Sequence, residues 1–331
     1  MLKESALYAQ RYRSAPLRSI YLGGGTPTFL SETHLEQLLH GLARHWDCSK
    51  LEEFSVEVNP RTVTARKAQV LRECGVNRVS VGVQAWDDAT LQTLGRDHKA
   101  ADATEIVQLL RGVGIHSINL DLMFSIPGQS LDTWQYTLEQ AISNKPDHIS
   151  AYNLNYEEDT AFFQRLRRGE YREDVDQDAT QFYLAMDLLE GAGFQHYETS
   201  NYAQPNHRSV HNAGYWFGRE YLGLGPSATS TIGMQRWKNF SDTEQYIHAV
   251  ENDILPQGEA ELLTAEQYHM ERVALELRTD CGVSMERLAT APQGVLQTLQ
   301  GEGLALMEAG FLKLTRKGKA LVDSIAEALL I

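Results

Sequence analysis

The sequence predicts an α/β fold: an open or partial (β/α) barrel followed by a small winged-helix-like C-terminal domain. Three observations carry this expectation. From the start to about residue 193, short β-branched runs alternate with helical stretches of period 3.6, the pattern of strand-helix units around a parallel sheet. A glycine-rich turn follows the first of these strands directly, and hydrogen-bonding side chains lie at or near the ends of the next three. From about Thr264 the order becomes helix, short helix, helix, strand, helix.

The chain opens on MLKESALYAQRYR, an amphipathic helical stretch with no apolar signal-peptide region. Five strands are expected after it, at Ser19 to Leu22, Phe54 to Val58, Arg78 to Val83, Ser117 to Leu122 and His148 to Leu154. Each reads as a mostly apolar run of the kind a doubly covered parallel strand requires. Ser31 is placed to cap a helix reaching Trp46 and Thr64 to start one that Gly75 ends, while Gly114 and Gly193 sit where helix C-caps belong. Right-handed crossovers would then put a ligand site at the carboxyl ends of the strands. Because the first strand follows directly on a helix, a strand that would precede that helix is expected to be missing.

Residues 1–193 form the expected partial barrel, residues 194–260 an extension and residues 261–331 the C-terminal domain. The extension begins GFQHYETSNYA and continues rich in His, Asn, Tyr, Trp and glycine, which suggests strands and loops covering one end of the barrel. In the last domain, a helix from about Thr264, a short helix at Met285 to Ala289, a helix at Pro292 to Glu308, a strand at Gly310 to Thr315 and a final helix resemble a winged helix. Acidic residues outnumber Lys plus Arg from Ala260 onward, so packing or docking is a better expectation for it than DNA binding.

Composition narrows the class. The 331 residues are 42% hydrophobic and 22% charged, ordinary for a globular chain, and no run is long and apolar enough for a membrane span. A formal net charge of −14 repels polyanions and argues against nucleic acid. Cys48, Cys74 and Cys281 are too widely and irregularly spaced for a disulfide framework or a zinc site, so reduced thiols in a cytoplasmic protein are expected.

The sharpest local signal is Gly23-Gly24-Gly25-Thr26-Pro27, where missing Cβ atoms let the backbone approach a ligand, although a tight strand-helix turn would look the same. Glu57 lies in Val56-Glu57-Val58-Asn59-Pro60, Gln84 follows Val81-Gly82-Val83, Arg96 ends Leu94-Gly95-Arg96, and Asp121 stands in Asn119-Leu120-Asp121-Leu122-Met123. A polar side chain buried near a strand end needs a partner. Any one could be a satisfied loop residue. Polar groups on successive units, all on one face, point to a site.

Together, GGGTP, VEVNP, GVQ with its following LGR, and NLDLMFSIPGQ resemble the radical S-adenosylmethionine (SAM) proteins related to oxygen-independent coproporphyrinogen III oxidase. The resemblance implies SAM contacts for Gly24, Gly25, Thr26, Glu57, Gln84, Arg96 and Asp121. A second set, YETSNYA, then HNAGYW, then YLGLG and Arg236-Trp237, is similar to the HemW-type heme chaperones. It implies heme binding through His211, Tyr215 and Trp216, with heme passed to acceptor proteins. A neutral imidazole can ligate heme iron while Tyr and Trp offer faces to the porphyrin. The structural alternative is that His211 and Asn212 bond a loop and Trp216 sits in the core. Within the family the oxidase is the alternative activity, and a cluster-free heme-binding or interaction protein is the alternative outside enzymes.

Radical-SAM chemistry implies a C-x3-C-x2-C loop holding a [4Fe-4S] cluster, and this sequence has no such loop. In the family that loop follows the strand judged missing here, so a shortened N-terminus is expected, with the cluster ligands absent. His98 reads as an exposed histidine, suited as a control for His211.

Overall fold

A computed structural model of the chain describes residues 1–12, 15–156, 158, 161–172 and 174–330. The five expected strands form as β1 (Ser19–Leu22), β2 (Glu53–Val58), β3 (Arg78–Gln84), β4 (Ser117–Phe124) and β5 (His148–Asn153). With β6 (Gln195–Glu198) and β7 (Asn201–Ala203) they make one seven-stranded sheet in the order β1-β2-β3-β4-β5-β7-β6. Strands β2 to β5 pair in parallel. The β6-β7 pair joins antiparallel beside β5, so GFQHYETSNYA extends the sheet rather than covering an end of it.

The two faces of this sheet differ, which corrects the expectation of doubly apolar strands. Val56, Val58, Val79, Val81, Ile118, Leu120 and Ile149 are buried on one face. Helices Ala100–Gly112 and Val175–Gly191 lie against β3 and β4. The alternate positions, Ser55, Glu57, Ser80, Asn119, Asp121, His148 and Ser150, are polar. Because strand side chains alternate, EFSVEV, RVSVGVQ and SINLDLMF are half-apolar strands with one functionalised face. Their helices start as expected: Thr64 Oγ1 accepts from the Lys67 amide at 3.1 Å, and Ser31 Oγ from that of His34 at 3.3 Å.

The chain divides into two compact units, one of Tyr21–Leu35 with Phe54–Arg208, the other of Met1–Ile20, Glu36–Glu53 and Ser209–Ile331. The second unit contains an antiparallel sheet of β8 (Thr229–Ile232), β9 (Gln235–Asn239) and β10 (Gln257–Leu262). Helix Leu2–Tyr12 is fastened to it by the fully buried Glu4 carboxylate. That group accepts from Tyr246 Oη and Asn239 Nδ2, both at 2.6 Å, and from the Gly225 amide at 2.9 Å.

The C-terminal part keeps the winged-helix order with two corrections. Residues 285–289 are turns after β11 (Val283–Ser284), not a helix. The helix expected over Pro292 to Glu308 stops at Gly301, and Ala305–Glu308 instead forms β12, hairpinned with β13 (Phe311–Leu314). Gly303, at φ +68°, turns the chain from the end of the helix into β12. Val273, Leu299, Leu312 and Ile325 share the core beneath.

Candidate functional site

The glycine turn emerges from β1 with Gly24 at φ +79° and open space where Cβ atoms of Gly24 and Gly25 would stand. Gly23 is different. A Cβ there would meet Glu57 Oε1 at 2.6 Å, so its absence lets the β2 carboxylate sit against the turn. Glu57 accepts from Tyr21 Oη at 2.5 Å and from the Gly24 amide. Burial raises the Glu57 carboxyl above its ordinary value, opposed by the Tyr21 bond, and the Asp121 charge adds to the rise. The Tyr21 phenol is pushed up by burial and by Glu57, Asp121 and Tyr152, which identifies these four groups as neighbours on one polar face. Thr26 precedes the short 3-10 helix Pro27–Phe29. The turn is braced by Thr28 Oγ1 against Thr62 Oγ1 at 2.6 Å and by Lys67 Nζ donating to the Thr28 carbonyl at 2.6 Å.

Gln84 ends β3 in a left-handed conformation, φ +69°, beside a bulge, and its Nε2 lies over Gly82, 3.3 Å from where a Cβ would stand. The strand-end backbone thus turns this amide back over the polar face. Asp121 stands opposite Gly82 and Ser150 in the β3-β4-β5 register. It accepts from Ser80 Oγ at 2.9 Å and Asn119 Nδ2 at 2.7 Å. Burial raises its carboxyl against these bonds. Arg96 is exposed on the loop after helix Asp88–Thr93. Its neighbour Asp97 is tied by its carbonyl to Arg61 Nη1 at 2.7 Å, on the loop that follows Glu57. The structure therefore brings Gly24, Glu57 and Asp121 together with Tyr21, turns Gln84 over Gly82, and leaves the Arg96 side chain exposed. Tyr21 was not singled out from sequence, although its place two residues before the glycines, on the parity of Ser19, was the available signal.

In the other unit, His211, Tyr215 and Trp216 lie on helix Val210–Trp216, which has no buried residue. Glu53 caps it, accepting from Ser209 Oγ at 3.2 Å, the Val210 amide at 2.7 Å and the His211 amide at 3.4 Å. Four residues apart on a helix means the same side, and the His211 and Tyr215 rings meet edge to face with centroids 5.0 Å apart. Tyr215 continues edge-on to Tyr221 at 4.7 Å. Trp216, five residues after His211, points about 140° away around the axis, and its Nε1 is buried with no partner among the described residues. His211 Nδ1 lies 3.1 Å from Ser19 Oγ, and burial lowers its imidazole, with Glu53 opposing. The three expected residues thus split into a His211-Tyr215 pair, extended by Tyr221, and a separate Trp216. Glu53, Ser19 and Tyr221 were missed as site residues because their proximity is set by tertiary packing. His98, expected to be exposed, is 3% exposed and its Nε2 lies 3.0 Å from the Val83 carbonyl.

The thiols do not fit a [4Fe-4S] cluster, which needs three of them converging on one site. Cys74 caps helix Ala65–Glu73, Cys48 bonds the Ala43 carbonyl, and Cys281 is exposed beside Asp280. Among the described residues no three His, Cys, Asp or Glu side chains are grouped to hold a metal. Nor is any described helix long and apolar enough to cross a membrane.

Residues 2–141 match the radical SAM superfamily. Heme chaperone HemW of Bacillus subtilis (strain 168) is 35% identical over 324 residues, spanning 95% of this chain and 86% of that protein. Radical S-adenosyl methionine domain-containing protein 1, mitochondrial, of Danio rerio is 30% identical over 349 residues, spanning 99% of this chain and 79% of that one. Among solved structures, coproporphyrinogen III oxidase (HemN) from Escherichia coli superposes with a TM-score of 0.84 at 21% identity, over 99% of this chain and 81% of its own. At that identity the likeness concerns the fold, and it agrees with the partial (β/α) barrel expected from sequence.

Proposed function

Because the chain belongs to the HemW family of heme chaperones within the radical SAM superfamily, we infer that it binds heme and passes it to acceptor proteins. The observation that carries this reading is the His211-Tyr215 pair on a short helix without buried residues, extended by Tyr221 from beyond that helix. Burial favours the neutral imidazole, the form that ligates iron. With Nδ1 engaged by Ser19, ligation falls to Nε2. Tyr215, 40% exposed, supplies an aromatic contact for the macrocycle, and Trp216 a second on another side of the helix.

The polar face of the sheet is assigned to SAM, with Gly24, Gly25, Thr26, Glu57, Gln84, Arg96 and Asp121 as its contacts. Two buried carboxyls, with the Asp121 charge raising the proton affinity of Glu57, suit a ligand with positive charge, and SAM carries an ammonium and a sulfonium. The open backbone at Gly24 and Gly25 leaves room for the methionine end. Bound at a cluster, SAM supplies one-electron chemistry. The thiols present do not fit that cluster, so the activity assigned to these residues is binding: the Gly24 turn and Tyr21 hold Glu57, and Ser80 and Asn119 hold Asp121.

Heme titration followed at the Soret band tests the first assignment. His211→Ala is expected to weaken binding about tenfold or more through loss of an axial ligand, while His248→Ala, at an exposed position, leaves it unchanged. Equal affinity for wild type and a folded His211→Ala variant would remove the imidazole from the site.

A further inference from the structure

The polar face holds a histidine that no step above uses. His148, on β5, is fully buried, and its two ring nitrogens are both engaged: Nδ1 lies 2.6 Å from Asn119 Oδ1 and Nε2 lies 2.8 Å from Tyr197 Oη. The same Asn119 amide holds Nδ2, which has two protons to donate, 2.7 Å from Asp121 Oδ1, 2.6 Å from Ser80 Oγ and 3.0 Å from Ser150 Oγ, and Ser150 Oγ also donates to Asn119 Oδ1 at 3.2 Å. Ser80 in turn donates to Asp121 Oδ2 at 2.9 Å. Asn119, Ser80, Ser150 and Tyr197 are themselves buried. We propose that His148 is a positioning residue for SAM binding, acting through a one-way hydrogen-bond relay from Tyr197 to His148 to Asn119 that fixes the carboxylate of Asp121.

The chemistry of the groups sets the direction. A carboxylate only accepts, so the amide nitrogen of Asn119 faces Asp121 and its oxygen faces His148. An amide oxygen also only accepts, so the His148 proton sits on Nδ1. Nε2 is then the acceptor, and Tyr197 donates to it. Protonation of the second nitrogen would make the Tyr197 hydroxyl accept instead of donate and turn its own proton away from the imidazole. Burial, reinforced by the Arg78 and His207 charges, holds the imidazole well below its ordinary value. Each hydrogen-bonding atom along the line from Tyr197 through His148 and Asn119 to Asp121 then has a partner. A buried network of this kind fixes orientation because any rotation leaves a buried donor or acceptor unmatched. Asp121 therefore presents its carboxylate in one pose at the β4 end of the polar face.

This inference rests on the SAM assignment above, and the test separates the two. Long-range proton-nitrogen NMR of histidine-labelled wild-type chain is expected to show His148 protonated on Nδ1, bare on Nε2, and unchanged from about pH 5 to 8, across the range where an ordinary histidine titrates. Calorimetric titration with SAM is expected to show His148→Phe binding about tenfold more weakly and Tyr197→Phe a smaller loss. His148→Asn, whose amide can still donate to Asn119, should recover most of the affinity. A proton on Nε2, or a titrating His148, overturns the relay. Unchanged SAM affinity in a folded His148→Phe variant, or equal losses in the Phe and Asn variants, overturns the positioning role. No saturable SAM binding by wild type overturns the SAM assignment itself, and the nitrogen spectrum alone then judges the relay.

Discussion

Replacing Gly218 by alanine should destabilise the unit that carries the His211 helix by about 2–4 kcal/mol. Gly218 follows helix Val210–Trp216 at φ +65°, where a side chain costs roughly 1 kcal/mol. The larger part comes from Arg272. An added Cβ would stand 1.7 Å from Arg272 Nη1 and 2.6 Å from Cζ. Arg272 is 2% exposed and has no path into water without repacking. Its Nη2 donates to the Trp216 carbonyl at 3.0 Å and the Tyr215 carbonyl at 3.4 Å, and hydrogen bonds from a charged donor contribute about 1.5–3 kcal/mol. Displacing the guanidinium forfeits much of this. Urea unfolding followed by circular dichroism measures the loss, and a double-mutant cycle assigns it. In an Arg272→Ala background, Gly218→Ala should cost only the backbone term of roughly 1 kcal/mol. The same cost in both backgrounds would refute the claim that the glycine exists to admit Arg272.

Two further outcomes follow from the residues present. Anaerobic reconstitution of the 331-residue chain with iron and sulfide should leave no stoichiometric [4Fe-4S] absorption or EPR signal, since Cys48, Cys74 and Cys281 occupy separate places; a full cluster would show that the thiols can converge. Burial holds the Glu4 carboxyl above its ordinary value despite the Tyr246, Gly225 and Asn239 bonds, so it binds its proton more tightly folded than unfolded. Its contribution is then most favourable below the unfolded value of about 4 and declines as pH rises through the folded value. Urea midpoints of wild type minus Glu4→Gln should fall across that window, and a rising difference would contradict the sign.

The parallel strands were legible because their signals are local: β-branched runs, a glycine turn, helix caps at Ser31 and Thr64. What was misread in them is instructive. Ser117 to Leu122 reads as a mostly apolar run, yet Ser117, Asn119 and Asp121 alternate with Ile118, Leu120 and Leu122, and that period of two already marks a one-sided strand. The wing was misread for the opposite reason. Val295, Leu296 and Leu299 have helical spacing that Leu304 and Leu306 extend in sequence alone, whereas Gly301-Glu302-Gly303 breaks it and the strand pairing of β12 with β13 takes over. Of the site, Glu57, Gln84 and Asp121 were legible from their places at strand ends. Tyr197 and His148 were not, since β6 reaches β5 only through β7, and pairing across that distance leaves no local trace.

The helix bearing His211 shows how such a site is held without being filled. Seven residues are too few for a stable helix in water, and none of these is buried, so neither propensity nor apolar burial accounts for it. Its ends do. The Glu53 carboxylate meets the free amides at the N-terminus and the Arg272 guanidinium meets the free carbonyls at the C-terminus, each charge on the end of the helix dipole that it stabilises. Both charged groups are almost fully buried, at 4% and 2% exposed, which anchors the ends in the unit's own packing. Because the backbone is fixed from its termini, Tyr215 near the end of the helix and Phe217 just past it remain 40% and 44% exposed. A ligand that covers those rings would gain apolar burial that the empty protein has not already taken, without having to reorder the helix first.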